Sequence, residues 1–286
     1  MISTSKITLY TLIIFIAYPI LSFSNMRDYQ TTRLSSTAGT GVGSVLMDEA
    51  TFLNPAPLSF YRIGSFYFQK TNLKTNNSGT ETKGIILVAS DSKGKIGGSI
   101  SYQSFEQNED ERKRISASLS SPIAQKSAFG ITYRMTEDII TDQNNRQTTT
   151  KYKQFLIGIC HALSRDFTIG FLVIDPTEVI PSDSKAFVGF QYVYKDFITI
   201  MADLGSNWDG NLSNNLLYRG GMQFKILSDF YLRFGTFQDK MTLEKGSGAG
   251  LSWVSPKLTF NLAANYINTK LDQEIRETSF SASYRF

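Results

Sequence analysis

Apolar and polar residues alternate along the chain from about residue 60 onward. In the closing stretch, Phe280, Ala282 and Tyr284 fall on one side of a predicted strand, and Ser281 and Ser283 fall on the other. Successive side chains of a strand point to opposite faces, so this pattern predicts a sheet with one apolar and one polar face. Similar segments recur between clusters of Gly, Asn, Asp, Ser or Pro. The expected strands are 60–71, 82–91, 95–105, 111–121, 126–136, 149–162, 166–174, 184–194, 197–206, 214–225, 229–238, 245–254, 257–268 and 276–286.

The connections between these segments alternate in length. Short turns are expected near 92–94, 122–125, 163–165, 195–196, 226–228 and 255–256, and longer polar loops at 72–81, 137–148, 175–183, 207–213, 239–244 and 269–275. Bacterial barrels have short periplasmic turns and longer extracellular loops, whereas a soluble β-sandwich shares the strand pattern but has no reason to keep this order. The expected fold is all-β, an antiparallel transmembrane β-barrel of about fourteen strands over residues 60–286.

Composition agrees with this fold and narrows the function. Aromatic residues make up 13% of the chain and charged residues only 19%, a balance that favours strands and turns over helices. The net charge is +4, and the Lys and Arg residues are spread among acids. A nucleic-acid partner needs a basic patch, so none is expected.

The scarcity of Cys and His restricts catalytic and metal chemistry. The chain has one Cys, Cys160, and one His, His161, which excludes an internal disulfide, a paired-cysteine zinc site and a two-histidine metal face. A serine nucleophile needs a histidine base, but His161 shares its parity with Ile157 and Ile159 and is expected to face outward. We therefore expect no enzyme activity, no cofactor and no metal.

The first 24 residues have the features of a signal peptide. Lys6 supplies a positive start, residues 7–21 form an apolar stretch, and Ser22-Phe23-Ser24 provides small residues where a signal peptidase cleaves. The apolar stretch is shorter than the roughly twenty residues that a transmembrane helix needs. Cleavage is expected near Ser24, followed by export.

Residues 25–59 do not alternate and form a segment of a different kind. The small residues from Ser35 to Ser44 would let the backbone pack closely against a barrel wall, and a short helical turn is expected from Asp48. The prolines at 55 and 57 then force an extended or turned exit. A plug inside the barrel and a flexible periplasmic tail are both conceivable, and the plug is favoured because these apolar residues need burial: Val42, Val45, Leu46, Met47, Phe52 and Leu53.

This segment and the barrel pattern together resemble the FadL family of outer-membrane transporters and its PorV-like relatives. The matching positions are Gly39, Gly41, Gly43, Asp48, Ala50, Asn54, Pro55 and Ala56. The resemblance implies a bacterial outer-membrane barrel, an N-terminal plug that contains this motif, and passive uptake of hydrophobic molecules such as long-chain fatty acids. The chain departs from the family in its trimmed outer loops and in Pro57, where many relatives have Gly.

Candidate ligand contacts come from apolar residues with inward parity. Phe187, Phe197, Met201 and Phe237 are expected either to line an apolar pocket or to pack against the plug. Two other functions stay open. Inward Arg134, Arg219 and Arg233 would suit the charged constriction of a general diffusion porin. A structural or secretion-associated barrel, as in the PorV-like group, would have protein partners instead.

The last residues carry one further expectation. Phe286 ends the closing strand on its apolar face, and Tyr284-Arg285-Phe286 resembles the C-terminal signal by which barrel assembly machinery recognises its clients. The expected partners are therefore a hydrophobic small molecule or lipid, outer-membrane lipids and the assembly machinery. The first and last strands are expected to be neighbours, since closure removes free sheet edges.

Overall fold

The computed structural model describes residues 30–76, 79–141, 146–181, 183–207, 214–270 and 273–286. The predicted signal peptide lies outside these residues. In this part of the chain, no helix is both long enough and apolar enough to cross a membrane.

Fourteen antiparallel strands in the described residues form one closed barrel in which each strand pairs with its neighbours in sequence. The first and last strands pair from Ser65 with Arg285 to Thr75 with Ile275, so the predicted fold and closure are confirmed. The strands are β1 (Gly64–Thr75), β2 (Glu81–Asp91), β3 (Gly97–Gln107), β4 (Asp110–Ala124), β5 (Ser127–Thr141), β6 (Gln147–Ala162), β7 (Phe167–Ile174), β8 (Lys185–Tyr194), β9 (Ile198–Asn207), β10 (Leu216–Lys225), β11 (Phe230–Asp239), β12 (Glu244–Val254), β13 (Leu258–Asn268) and β14 (Glu274–Arg285).

The two faces of the wall differ as the alternation predicts. Phe66 and Phe68 on β1 are exposed on the outer face, while Ser65, Tyr67 and Gln69 between them are buried on the inner face. An apolar outer face suits contact with hydrocarbon, and a closed sheet satisfies its backbone hydrogen bonds internally. The inner face surrounds the space that we call the lumen.

The start of the barrel differs from the prediction. β1 begins at Gly64 rather than at residue 60, because a 3₁₀ helix at Ala56–Phe60 follows Pro55. The helical turn expected from Asp48 is a single hydrogen-bonded turn in which the Leu53 N–H donates to the Glu49 carbonyl at 2.9 Å. An α-helix that was not predicted, α1 (Thr32–Ser36), is capped by Thr31, whose side chain accepts a hydrogen bond from the Leu34 N–H at 3.2 Å.

Candidate functional site in the barrel lumen

The residues that precede β1 lie against the inner face of the wall. We call residues 30–60 the N-terminal segment. Its apolar side chains Leu34, Val42, Phe52 and Leu53 are buried together with inner-face residues of several strands. The site is therefore built from two parts, the N-terminal segment and the lumen wall that it contacts.

Glycines in the wall let the backbone of the N-terminal segment approach closely. On the inner face, Gly170 of β7 pairs with Gly189 of β8, and a Cβ at Gly170 would collide with the Val42 carbonyl. A Cβ at Gly235 of β11 would likewise overlap the backbone of Thr37. Glycine is required at these positions because no side chain fits between the two backbones.

A buried carboxylate of the wall binds the glycine-rich turn of the segment. Asp203 on β9 accepts a hydrogen bond from the Gly41 N–H at 2.7 Å and another from the Val42 N–H at 3.1 Å. Arg219 on β10 lies directly opposite Asp203 in the strand pairing and donates to the Gly39 carbonyl at 3.1 Å. This acid–base pair therefore holds both sides of the turn.

Each of the three glycines of the predicted motif occupies a position that disfavours a side chain, the first two through their backbone angles and the third through close contact with the wall. Gly39 and Gly41 have φ values of +79° and +149°, a range that side-chain-bearing residues rarely adopt. Gly43 lies so close to Gly189 that a Cβ would overlap its carbonyl oxygen. The motif therefore shapes the turn that Asp203 binds.

The Asn54-Pro55-Ala56 part of the motif ties the segment to itself and to the wall. The Asn54 side-chain amide donates to the Val42 carbonyl at 2.8 Å and to the Ile159 carbonyl at 3.1 Å. Its oxygen accepts from the Ala56 N–H at 3.0 Å. A Cβ at Gly158 of β6 would overlap the Asn54 side chain. Asn54 thus bridges two turns of the segment and one wall strand.

Two acids of the segment lie near arginines at the end of the lumen where the short turns are. Ser65 donates to the Asp48 carboxylate at 2.7 Å, and Thr31 donates to the Glu49 carboxylate at 3.2 Å. Burial raises the pKa of both carboxyls, and the nearby Arg33 guanidinium offsets part of this effect. Burial also raises the pKa of Tyr61 to about 12, and its hydroxyl donates to the Val45 carbonyl at 2.7 Å.

The three arginines considered for a porin constriction all bind protein groups. Arg134 donates to the Thr51 carbonyl at 3.0 Å and to the Phe52 carbonyl at 2.7 Å. Arg233 donates to the Gln223 side chain at 2.8 Å and to Ser252. With Arg219 on the Gly39 carbonyl, two of the three arginines hold the N-terminal segment in place.

Three of the four predicted ligand contacts lie where parity placed them. Phe187 and Met201 are buried on the inner face, and Phe237 packs against the apolar cluster that contains Phe187. The inward placement of Phe197 is wrong. Phe197 precedes β9 in the short turn and is half exposed.

A small cavity lies beside the segment in the lumen. One cavity of about 40 Å³ lies between the segment residues Leu34 and Phe52 and the wall residues Arg114, Arg134 and Arg219. A volume of this size accommodates water rather than an extended hydrocarbon chain. A larger ligand would fit in this cavity only if the segment moved.

His161, the one histidine of the chain, faces outward as the alternation along its strand predicts. His161 is exposed at the short-turn end of β6, and its Nδ1 lies 2.7 Å from the Ser127 hydroxyl. Within the described residues, no three His, Cys, Asp or Glu side chains form a group that could hold a metal ion.

Comparison with known proteins places this geometry in a structural class. No family model and no curated protein matches the sequence. Among solved structures, a CymD monoaromatic hydrocarbon channel matches with a TM-score of 0.73 and 12% identity over 88% of this chain and 96% of that chain. The chain shares the fold of FadL-family hydrocarbon channels. The toluene transporter TbuX of Ralstonia pickettii matches with a TM-score of 0.70 and 10% identity, over 90% of this chain and 98% of that one. A FadL homologue of Pseudomonas aeruginosa matches with a TM-score of 0.60 and 11% identity, over 91% and 99%.

These likenesses confirm the FadL-type fold that the sequence predicted. The solved neighbours named above are channels and transporters rather than enzymes. The binding roles predicted for individual residues remain predictions. Sequence reasoning missed Asp203 and the role of Arg134, and a buried-parity acid on an otherwise apolar or small-residue strand face was the available signal for Asp203.

Proposed function

We propose that this chain is a bacterial outer-membrane channel for passive uptake of small hydrophobic molecules, with the N-terminal segment as a plug in its lumen. The observation that carries the proposal is the apolar cluster that the segment and the wall form together. Leu34, Val42, Phe52 and Leu53 pack with Leu172 and Phe187 in the interior of a closed barrel. This apolar cluster offers a hydrocarbon an environment that a water-filled porin does not.

The proposed plug blocks the lumen in the state described above. The polar contacts of Asp203, Arg134 and Asn54 hold it, and the cavity of about 40 Å³ beside it is too small for a hydrocarbon substrate. Each hydrogen bond to a charged group contributes roughly 1.5–3 kcal/mol. In this mechanism an apolar ligand displaces the segment from part of the wall, and uptake follows the concentration gradient with no energy input from the protein.

The proposed substrate class rests on the apolar cluster in the lumen and on the neighbours with this fold. The names of CymD and TbuX refer to monoaromatic hydrocarbons and toluene, which supports an apolar substrate for this chain. We propose long-chain fatty acids as substrates of the same class. Phe187, Met201 and Phe237 are the proposed wall of the passage, and Phe197 is left out because it lies in a turn.

The proposal also covers the export signal, the boundaries of the plug and the barrel, and the contact with the assembly machinery. Residues 1–24 direct export, residues 25–59 form the plug region and residues 60–286 form the barrel in contact with outer-membrane lipids. Phe286 is the proposed contact for the assembly machinery. Its backbone pairs with Gly64, with the Phe286 N–H donating to the Gly64 carbonyl at 3.0 Å.

Uptake by intact bacteria tests the function, because the lipopolysaccharide-containing outer membrane is then the barrier. Cells that lack their own hydrocarbon channels would express either the full chain or an empty vector. The initial uptake rates of radiolabelled toluene and hexadecanoate would be measured. We expect the chain to raise at least one of these rates. Equal rates with and without the chain, while the folded barrel is present in the outer membrane, would rule out this function.

The same cells separate the two alternatives. A general diffusion porin would pass small hydrophilic solutes while the plug is intact, and a structural barrel would change neither uptake rate. A deletion of residues 34–58 is expected to remove selectivity, since it leaves the lumen open.

A further inference from the structure

An apolar groove of about 510 Å³ runs along the outer face of the wall across β13, β14, β1, β2 and β3. It begins beside the short turns, at Phe66 and Leu258, and extends toward Leu87 and Tyr102. Its depth comes from small residues that pair with large ones, since Ala89 pairs with Phe66 and Ala282 pairs with Phe68. Every one of these side chains points away from the lumen. The groove is therefore separate from the proposed passage.

Basic side chains surround the short-turn end of this groove. Lys93 and Lys95 lie in the β2–β3 turn and Lys257 lies in the β12–β13 turn, and all three are exposed. The Lys93 ammonium lies 4.4 Å from the centroid of the Phe286 ring. That ring stacks on Phe66 at 5.2 Å, and Phe66 lines the groove. A positive charge is thus held at the mouth of an apolar groove.

Lysines outnumber acids in the two turns that contribute these side chains. The β2–β3 turn contains two lysines, and the one acid beside it is Asp91 at the end of β2. Asp91 accepts a hydrogen bond from the Lys93 backbone N–H at 3.0 Å. Two short turns on the opposite side each place a basic residue next to an acid, namely Arg165 next to Asp166 and Lys195 next to Asp196. The β2–β3 and β12–β13 turns therefore carry a net positive charge, whereas the β6–β7 and β8–β9 turns are neutral.

The apolar outer face continues past the end of the strand at this rim. Ile96 precedes β3, shares the outward parity of Ile100 and is 61% exposed. In the proposed outer membrane, an isoleucine this exposed lies in hydrocarbon, which sets the membrane boundary at the level of the turns. Lysines one to three residues away then lie at the height of the lipid phosphates, with their stems along apolar surface.

We propose that this groove and the β2–β3 and β12–β13 turns form a binding site for an anionic phospholipid of the periplasmic leaflet. One acyl chain lies in the groove between Phe66 and Tyr102, and the phosphate is bound by Lys93, Lys95 and Lys257. The short-turn end faces the periplasm in barrels of this kind, which sets the leaflet. The inference rests on the proposed outer-membrane location but not on the identity of the transported molecule.

Native mass spectrometry of the full chain purified in detergent tests this site. Equal amounts of phosphatidylglycerol and phosphatidylcholine with identical acyl chains would be added. We expect preferential retention of phosphatidylglycerol, and each lysine removed is expected to lower that preference about fivefold. The test variant combines Lys93→Gln with Lys257→Gln. The matched control combines Arg165→Gln with Lys195→Gln, which removes two charges from the β6–β7 and β8–β9 turns.

The outcomes separate this site from ordinary lipid association. Ala89→Leu fills the groove and is expected to lower retention of both lipids. Equal retention of the two lipids by the unmodified chain, or an equal loss in the control variant, would overturn the proposal. If the purified barrel is folded, as its resistance to heat shows, but has no lipid preference, the lipid site is contradicted and the transport proposal is not. Uptake measured on the same variants tests the transport proposal independently.

Discussion

Asp203 accepts a hydrogen bond from the backbone N–H of Gly41 at 2.7 Å, which joins a wall strand to a turn 162 residues earlier in the sequence. The same carboxylate accepts the Val42 N–H, and Arg219 opposite it holds the Gly39 carbonyl. This is the polar contact through which the wall recognises the glycine-rich turn. Its removal should release the turn without removing any apolar packing.

Asp203→Asn is expected to raise the ion conductance of the barrel in planar bilayers. Asparagine keeps the size but loses the charge, and the loss of about 1.5–3 kcal/mol should raise the open fraction at least about tenfold. Asp229→Asn removes an exposed acid of a short turn and serves as the control. Indistinguishable conductance of the two variants would show that Asp203 does not hold the turn.

Gly170→Ala is expected to displace the segment through sterics rather than charge. The new methyl group would overlap the Val42 carbonyl, and overpacking of this kind costs about 1–3 kcal/mol. Gly220→Ala is the matched control, because a Cβ at Gly220 meets no atom within 4 Å. Melting temperatures in detergent and bilayer conductance should change for Gly170→Ala only. A normal melting temperature and closed state in that variant would contradict the close approach.

The side of the wall that each strand residue faces was predictable from the sequence, because the alternation of side chains along a strand is a local property. Phe280 and Ser281 face opposite sides whatever the rest of the chain does, and the same rule placed Phe187 and Met201 on the inner face. Parity failed at Phe197 because Lys195 and Asp196 adopt positive φ values of 50° and 56° in the turn, so the alternation starts anew at Ile198. The contact of Asp203 with Gly41 joins residues 162 positions apart, so the local pattern marks an inward acid but not its partner.

Glu49 is expected to make stability depend on pH. Burial raises its pKa above the ordinary value of 4.5, so the folded state binds the proton more tightly than the unfolded chain does. The stability that Glu49 contributes should therefore be fully present below about pH 4.5 and be lost as the pH rises through the raised pKa. Melting temperatures from acid to neutral pH should show this fall in the unmodified chain and a smaller one in Glu49→Gln. The exposed Glu109→Gln is the control, and an unchanged pH profile in Glu49→Gln would contradict the assignment.

A disulfide between the segment and the wall tests the central claim, that the segment must move for uptake. A Cβ on Gly221 would lie 3.3 Å from the Cβ of Thr40, close to the separation of about 3.5–4.5 Å that a disulfide needs. Thr40→Cys and Gly221→Cys would be combined with Cys160→Ala, with each single cysteine as a control.

The decisive measurement is the initial rate of hydrocarbon uptake by cells that carry this cross-linked barrel, before and after reduction. The account predicts that the oxidised barrel takes up no more than the empty vector and that dithiothreitol restores the rate. Undiminished uptake through a fully cross-linked barrel would contradict it.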